Sequence, residues 1–396
     1  MSSKEKLLLF VLACVNFTHI MDFMILMPLG PQLMDIFQID AQQFGFMVAS
    51  YGVAAAISGF SLAFFADRFD RKKVLLFAYV GFVLGTFACA ISPSFYTLIA
   101  SRTVAGMFGG MIGSQVLSIV ADTFNYERRG QAMGVISAAF ALASVIGVPG
   151  GLYLASLFSW HAPFFTVGGM GMIIIFLIWF LVPKIDGHLN AFEPKTSKRL
   201  VIKQIWNTPN QLWALALSAV IMLGHFSIIP YIAPTLVSNI GYKDQDIYLI
   251  YLIGGLLTIF SAPIVGKLAD KKGKYPVFVV FLLLSLIPIY LITNLVPVPV
   301  YVVLIISGLF FIFSNGRLIP TQAMVSSVVT PKNRGGFMAI NSSVQLMAQA
   351  LASSIGGSIL VQRSDGYLEN YELVGYFAMA MLLISLFVAK KIKTVS

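Results

Sequence analysis

Charge is scarce in this chain. Asp, Glu, Lys and Arg together make up 11% of its 396 residues, against about 25% in an ordinary soluble domain. With 58% of the residues hydrophobic, that shortage excludes a soluble enzyme and a disordered scaffold. Cysteine is nearly absent: only Cys14 and Cys89, each inside an apolar run. Two such residues form neither a disulfide framework nor a metal-ligand spacing, and they read as small lipid- or core-facing side chains. No Gly-x-x-x-x-Gly-Lys-Ser/Thr loop, His-Glu-x-x-His pair or Gly-x-Ser-x-Gly elbow occurs, so neither ATP drive nor enzymatic catalysis is expected of this chain. No cofactor or metal is implied. Positive charge alone is in surplus, at +10. The basic residues fall in short clusters between long apolar runs rather than on one face, so the expected partner is the lipid bilayer and not nucleic acid.

What the sequence has in abundance is apolar runs long enough to span a membrane, which takes roughly 20 residues. Twelve fit, near 7–30, 44–65, 74–92, 95–120, 131–157, 163–183, 211–236, 247–268, 276–295, 299–328, 335–361 and 372–389. Runs such as Met172 to Val182 are apolar on every side, which excludes an outer-membrane barrel with its alternating strands. Val11-Leu12-Ala13-Cys14 loosely resembles a lipoprotein cleavage box, but the apolar stretch before it is short and continues past it, so the first helix is expected to be retained. If the N-terminus is cytoplasmic, 22 of the 26 Lys and Arg residues fall in inner segments and only Lys243 and Arg363 in outer loops. The positive-inside rule therefore puts both termini in the cytoplasm, and the expected setting is a bacterial cytoplasmic (inner) membrane.

The longest polar interval, Pro183 to Asn210, divides six spans from six. Local words recur across it at nearly one offset. Ala66-Asp67-Arg68 returns as Ala269-Asp270-Lys271 and Pro31 as Pro234, each 203 residues later, and Arg129-Gly130 returns as Arg334-Gly335 after 205. These repeats predict an all-α membrane protein of twelve transmembrane helices in two pseudo-symmetric six-helix bundles. The first is expected over 1–183, the second over 211–396, with a cytoplasmic linker at 184–210 and the pathway between the bundles.

Gly266-Lys267-Leu268-Ala269-Asp270-Lys271-Lys272-Gly273-Lys274 resembles the loop signature Gly-x-Leu-Ala-Asp-Arg-x-Gly-Arg-Lys of the major facilitator superfamily. The first-half copy, Ala63 to Lys72, has Ala63 and Asp70 where that pattern has glycine. Arg102-Thr103-Val104-Ala105-Gly106 is similar to the family's fourth-helix Arg-x-x-x-Gly motif. Gly147-Val148-Pro149-Gly150-Gly151 and Ser159-Trp160-His161-Ala162-Pro163-Phe164 resemble motifs of its drug and sugar antiporters. The resemblance implies the family's twelve-helix fold, transport by alternating access, and a part for Arg102 in proton movement.

Several polar residues stand where lipid or a closed core would not tolerate them. Asp22 is the one carboxylate deep in a span, where an ionised acid costs at least ~2.5 kcal/mol on insertion scales. Burial and a nearby cation pull a carboxylate's proton affinity in opposite directions, so alternating exposure can switch it. That is the minimum chemistry of proton coupling. His225, at the equivalent position 203 residues on, titrates near neutrality; His19, three residues before Asp22, shares its helix face. Together with Arg102 these form the proton-coupling set. Arg317 cannot be charged at depth without a partner or water, and the offset puts Gly113 or Ser114 opposite it. It could hold an anionic part of a substrate or snorkel to the membrane surface. Asn341, Gln345, Gln349 and Ser353 recur every four residues along the eleventh span, placing polar groups on one face that either lines a cavity or glues helices. Gln115 joins Arg317, Asn341, Gln345 and Gln349 as a substrate-binding candidate. The fifth span has Ile136, Phe140, Ser144 and Val148 at the matching positions, so the pathway is expected to be polar in the second half and mostly apolar in the first. Asp67, Arg68, Arg71, Asp122, Arg128, Arg129 and Asp270 cluster at cytoplasmic helix ends. They are expected to form a breakable gate of opposite charges that closes with the inner side.

The expectation is a monomeric, proton-coupled secondary transporter exporting a small organic compound such as a drug-like molecule or a sugar. A symporter importing an organic anion held by Arg317 and His225 is the alternative.

Overall fold

The computed structural model describes residues 2–65, 68–124, 126–186, 205–330 and 334–393. Helix α1 (Ser3–Ile25) opens on a capping box in which Ser2 and Glu5 bond each other's backbone N–H, satisfying donors that a helix start leaves free. A turn over residues 26–29 then bends the chain into α2 (Gly30–Phe37). Four more spans follow as α3 (Ala41–Phe65), α4 (Arg71–Ala90), α5 (Phe95–Thr123) and the composite of α6 (Tyr126–Leu142) and α7 (Val148–Leu157), before α8 (His161–Leu181) closes the first bundle. The second bundle holds α9 (Pro209–Phe226) with α10 (Ile229–Ile240), α11 (Ile247–Lys272), α12 (Lys274–Thr293), α13 (Val300–Ser326), α14 (Arg334–Ile359) and α15 (Tyr371–Lys390). A two-stranded antiparallel ribbon, β1 (Val361–Gln362) with β2 (Leu368–Glu369), joins the last two helices. The chain is thus a twelve-span, two-bundle membrane protein.

Among the described residues, eleven helical segments are long and apolar enough to cross a membrane, α9 and α10 counting as one. The span missing from that set is α14, whose amides and serines (Asn341 to Ser343, Gln345, Gln349, Ser353, Ser354, Ser358) dilute its hydropathy. Apolar side chains cover the outside, with Phe180 74% and Phe387 75% exposed, a surface only lipid can cover without cost. Three predicted spans are not single straight helices. The first bends at residues 26–29, the seventh at Ser227–Ile228, and the fifth carries a π-helical turn at Ala143–Gly147.

Each bundle packs by close backbone approach. A side chain on Gly106 of α5 would strike the backbone of Tyr51, and one on Gly110 the backbone of Ala55, both on α3. Small residues let helices approach where lipid supplies no hydrophobic drive. The bundles touch each other mainly at the end opposite the chain termini, here the far end. There Tyr231 Oη of α10 donates to the Ala41 carbonyl of α3 at 3.5 Å, Ser353 Oγ of α14 donates to the Gly45 carbonyl of α3 at 3.4 Å, and Tyr153 meets Tyr248 with ring centroids 6.2 Å apart. The near half of the same interface holds a cavity of about 220 Å³. At the far mouth, burial and the Asp35 carboxylate of the first bundle push the Asp244 carboxyl of the second above its ordinary value.

Because Gly110 faces backbone rather than a side chain able to move, Gly110→Val should destabilise the folded protein by about 1–3 kcal/mol. Thermal unfolding in detergent reads this, and an unchanged midpoint would show that α3 and α5 do not depend on that contact.

Candidate functional site

Two buried arginines, one per bundle, organise the interior. Asp22 sits in the last turn of α1, where its Oδ2 accepts from Arg102 Nη1 of α5 at 2.8 Å. The same nitrogen donates to the Asp22 carbonyl at 3.1 Å, and Thr86 Oγ1 of α4 donates to Asp22 Oδ1 at 3.1 Å. The two charged side chains are 1% and 0% exposed. The Arg102 guanidinium also lies 4.4 Å from the ring centroid of Tyr51 on α3, a cation–π contact that further replaces lost hydration. Four helices therefore converge on one ion pair.

In the second bundle Arg317 Nη1 donates to Ser285 Oγ of α12 at 2.6 Å, and Nη2 to His225 Nδ1 of α9 at 3.1 Å. A guanidinium can only donate, so His225 Nδ1 is the bare accepting nitrogen and its proton sits on Nε2. His225 stacks on Phe310 at 5.9 Å. The repeat offers Arg317 no basic counterpart, but the contacts supply one: Arg317 is to His225 and Ser285 what Arg102 is to Asp22 and Thr86. The offset hides this because Arg102 lies near the far-end start of α5, whereas Arg317 lies well down α13 towards the near end. Arg317 is fully buried rather than snorkelling. Phe23 and Phe226, the residues after Asp22 and His225, meet across the bundles with centroids 6.2 Å apart. Phe23 in turn lies 5.4 Å from Tyr51, so one run of rings links the two sites.

His19 lines the near-half cavity, with Nδ1 buried and unpartnered. The ring lies over Gly109, where any side chain would strike Tyr51 and His19. The expected apolar character of the first bundle's wall does not hold, because Asn16, His19 and Ser114 face Ser342 and Ser343 of α14 across the cavity. Phe140 of the fifth span is instead 54% exposed on the outside. On α14 the cavity is lined by Ala339, Ser342, Ser343 and Leu346, a face offset from the four-residue series read in the sequence. Of that series, Asn341 is buried with neither amide atom bonded, and Gln349 Nε2 contacts Met222 Sδ at 3.5 Å while its Oε1 has no partner. Gln345 is half-buried, and Ser353 belongs to the far-end seam. Gln115 is buried with Oε1 unbonded.

At the near end Arg71 Nε pairs with Asp122 Oδ2 at 2.8 Å and Arg128 Nη1 with Glu5 Oε2 at 3.2 Å. Both pairs form within the first bundle, and Glu5 was not among the sequence candidates. Asp70 caps α4 through Lys72 N–H and also accepts from Ile185 N–H at 3.1 Å, so the acid standing in place of a glycine tightens this loop. Arg68 and Asp270 are exposed at the same end. Asp67 and the side chain of Arg129 lie outside the described residues.

Two six-helix bundles around a cavity, each with buried ionisable groups, define a membrane transporter. The sequence model of the Major Facilitator Superfamily matches residues 12–319, and the chain belongs to that superfamily. It is 26% identical over 344 residues to the uncharacterized MFS-type transporter YceJ of Bacillus subtilis (strain 168), covering 85% of each chain. A probable sugar efflux transporter of Helicobacter pylori (strain P12) is 23% identical over 238 residues, which span 60% of this chain and 59% of that one. Among solved structures, an inward-facing, unoccupied bacterial homolog of the human lysosomal transporter Spinster superposes with a TM-score of 0.82 at 16% identity, covering 99% and 98% of the two chains. A D-xylose-proton symporter superposes at 0.80 with 16% identity and 99% coverage of both. The chain is a transporter and not an enzyme.

Removing one member of a buried pair leaves an uncompensated charge, which costs about 3–5 kcal/mol. Asp22→Leu should lower stability by that amount, and Asp22→Leu/Arg102→Leu should recover most of it. A double-mutant cycle on detergent unfolding checks the coupling, and additive losses would mean the pair is not an energetic unit.

Proposed function

We propose that this transporter is driven by protons and exports a small organic compound, drug-like or a sugar, by alternating access. The observation that carries the reading is the Asp22–Arg102 pair: a carboxylate enclosed by four helices, whose neighbour one turn nearer the termini, His19, borders the interface cavity. A proton on Asp22 would release Arg102, and its loss would restore the pair, so the site's charge state is tied to which bundle arrangement is stable. Proton coupling is supported in kind by the D-xylose-proton symporter that shares the fold, and export of a sugar by the probable sugar efflux transporters among the relatives. The Gly147 to Gly151 segment, which resembles the antiporter motif, lies against α1, where side chains on Gly147 and Gly151 would press on Met21 and Ile25 beside Asp22.

In this reading both termini lie in the cytoplasm of a bacterial inner membrane. The bundles 1–183 and 211–396 move as monomer halves joined by the 184–210 linker, and the near-half cavity is the part of the pathway that opens inward. The near-end charges time its closure. Substrate passes between Asn16, Ser114, Ser342 and Ser343.

Reconstituted in vesicles, wild type should move candidate sugars and drug-like compounds against their gradient when a pH gradient is imposed, and Asp22→Asn should abolish that dependence. Accumulation indifferent to both gradient and substitution would eliminate proton coupling. Asp67→Asn should slow turnover several-fold with near-normal substrate affinity, and full-speed transport would remove the near-end gate.

A further inference from the structure

The two bundles differ in buried charge. In the first, Arg102 is neutralised by Asp22. In the second, Arg317 is equally buried, yet among the described residues its partners are the neutral Ser285 and His225, and its Nε has none. A full positive charge held in a lipid-embedded bundle without a counter-charge is costly, and the unused Nε with the adjacent Nη2 is the edge of the guanidinium that receives an oxyanion in bidentate fashion. We propose that the second bundle contains a binding site for an oxyanion, carboxylate or phosphate, carried on a hydroxyl-rich organic molecule, with Arg317 as its centre and His225 and Ser285 holding the guanidinium until the anion arrives.

The hydroxyl-rich part follows from what lies at the same level. Ser218 of α9, Ser314 of α13 and Asn341 of α14 are buried with unbonded side-chain atoms. By helical rise they lie roughly 10–18 Å from the near end of their helices, and α9 packs against both α13 and α14. Asn341 leaves an amide oxygen as well as an amide nitrogen unpaired. A bare halide offers no donor to that oxygen, whereas hydroxyl groups both donate and accept. Phe226, next to His225 on α9, meets Phe23 across the bundle interface.

This inference rests on the transport reading and names the chemistry of its substrate, but it is tested without a pH gradient. Calorimetry on the full chain in detergent at fixed pH compares matched pairs: glucuronate with glucose, glucose 6-phosphate with glucose, and gluconate with glucitol, with chloride as a separate arm. The anionic member of at least one pair should bind about tenfold or more tightly than its neutral partner, as loss of one charge-assisted contact predicts. Arg317→Gln should erase that preference, and Arg317→Lys should keep part of it. Equal binding within every pair of the wild-type protein would overturn the site with no variant needed. Chloride that saturates the protein and is not displaced by any organic anion would likewise overturn it, making Arg317 the seat of a counter-ion. Proton coupling fails on a different measurement, the gradient dependence of flux, so the two ideas stand or fall separately.

Discussion

Hydrocarbon does not hold an unanswered charge, and that constraint shapes the centre of the first bundle. Asp22 and Arg102 are each intolerable alone at this depth and acceptable together. To bring them together, α1 must end where α5 begins, α4 must supply Thr86, and α3 must lay Tyr51 under the guanidinium. Gly106, one turn along α5 from Arg102, makes the last of these possible by letting the two backbones touch. Packing and electrostatics are one arrangement here, and a protonation event at Asp22 reaches four helices directly.

The interface shows why such an event can have a large result. Its far half is fastened by the Ala41 and Gly45 carbonyls of α3 accepting from Tyr231 and Ser353, while its near half encloses a cavity. Interlocked helix seams of this kind are either seated or separated, not stretched by degrees. Phe23 and Phe226, each next to an ionisable residue of its own bundle, meet across this interface. The near-end ion pairs, in contrast, lie inside one bundle and stiffen it.

Most of the fold was legible from the chain. Apolar length marked the spans, and the 203-residue offset tied Asp22 to His225 before any coordinates. Composition could even identify α14 as the odd helix, since its amides and serines are plain in the sequence. The pairing partners were not legible. A repeat offset compares depths, and Arg317 reaches His225 from a different depth than Arg102 reaches Asp22, so the equivalence exists only in contact geometry. The four-residue series on α14 erred for a related reason: polar spacing names a face but not its direction, and the cavity took the adjacent serines. Asp70 looked like a departure from a glycine pattern and proved to be a cap, because the segment after α8 that it holds is remote in sequence. The bends in the first and seventh spans and the π turn in the fifth do not interrupt the apolar runs that contain them, although Pro28, Pro230 and Pro149 lie in or beside them.

The π turn at Ala143–Gly147 carries one residue more than an α-helical turn needs. A surplus residue can travel: if it migrates to one end of the fifth span, the segment it passes swivels by about 100°, one residue's angular step, while every peptide group exchanges one acceptor for the next. Val145 rests against Gly255 in the opposite bundle and Gly147 against Met21 beside the buried acid. Such a migration would turn one wall of the interface like a ratchet, without breaking the rod.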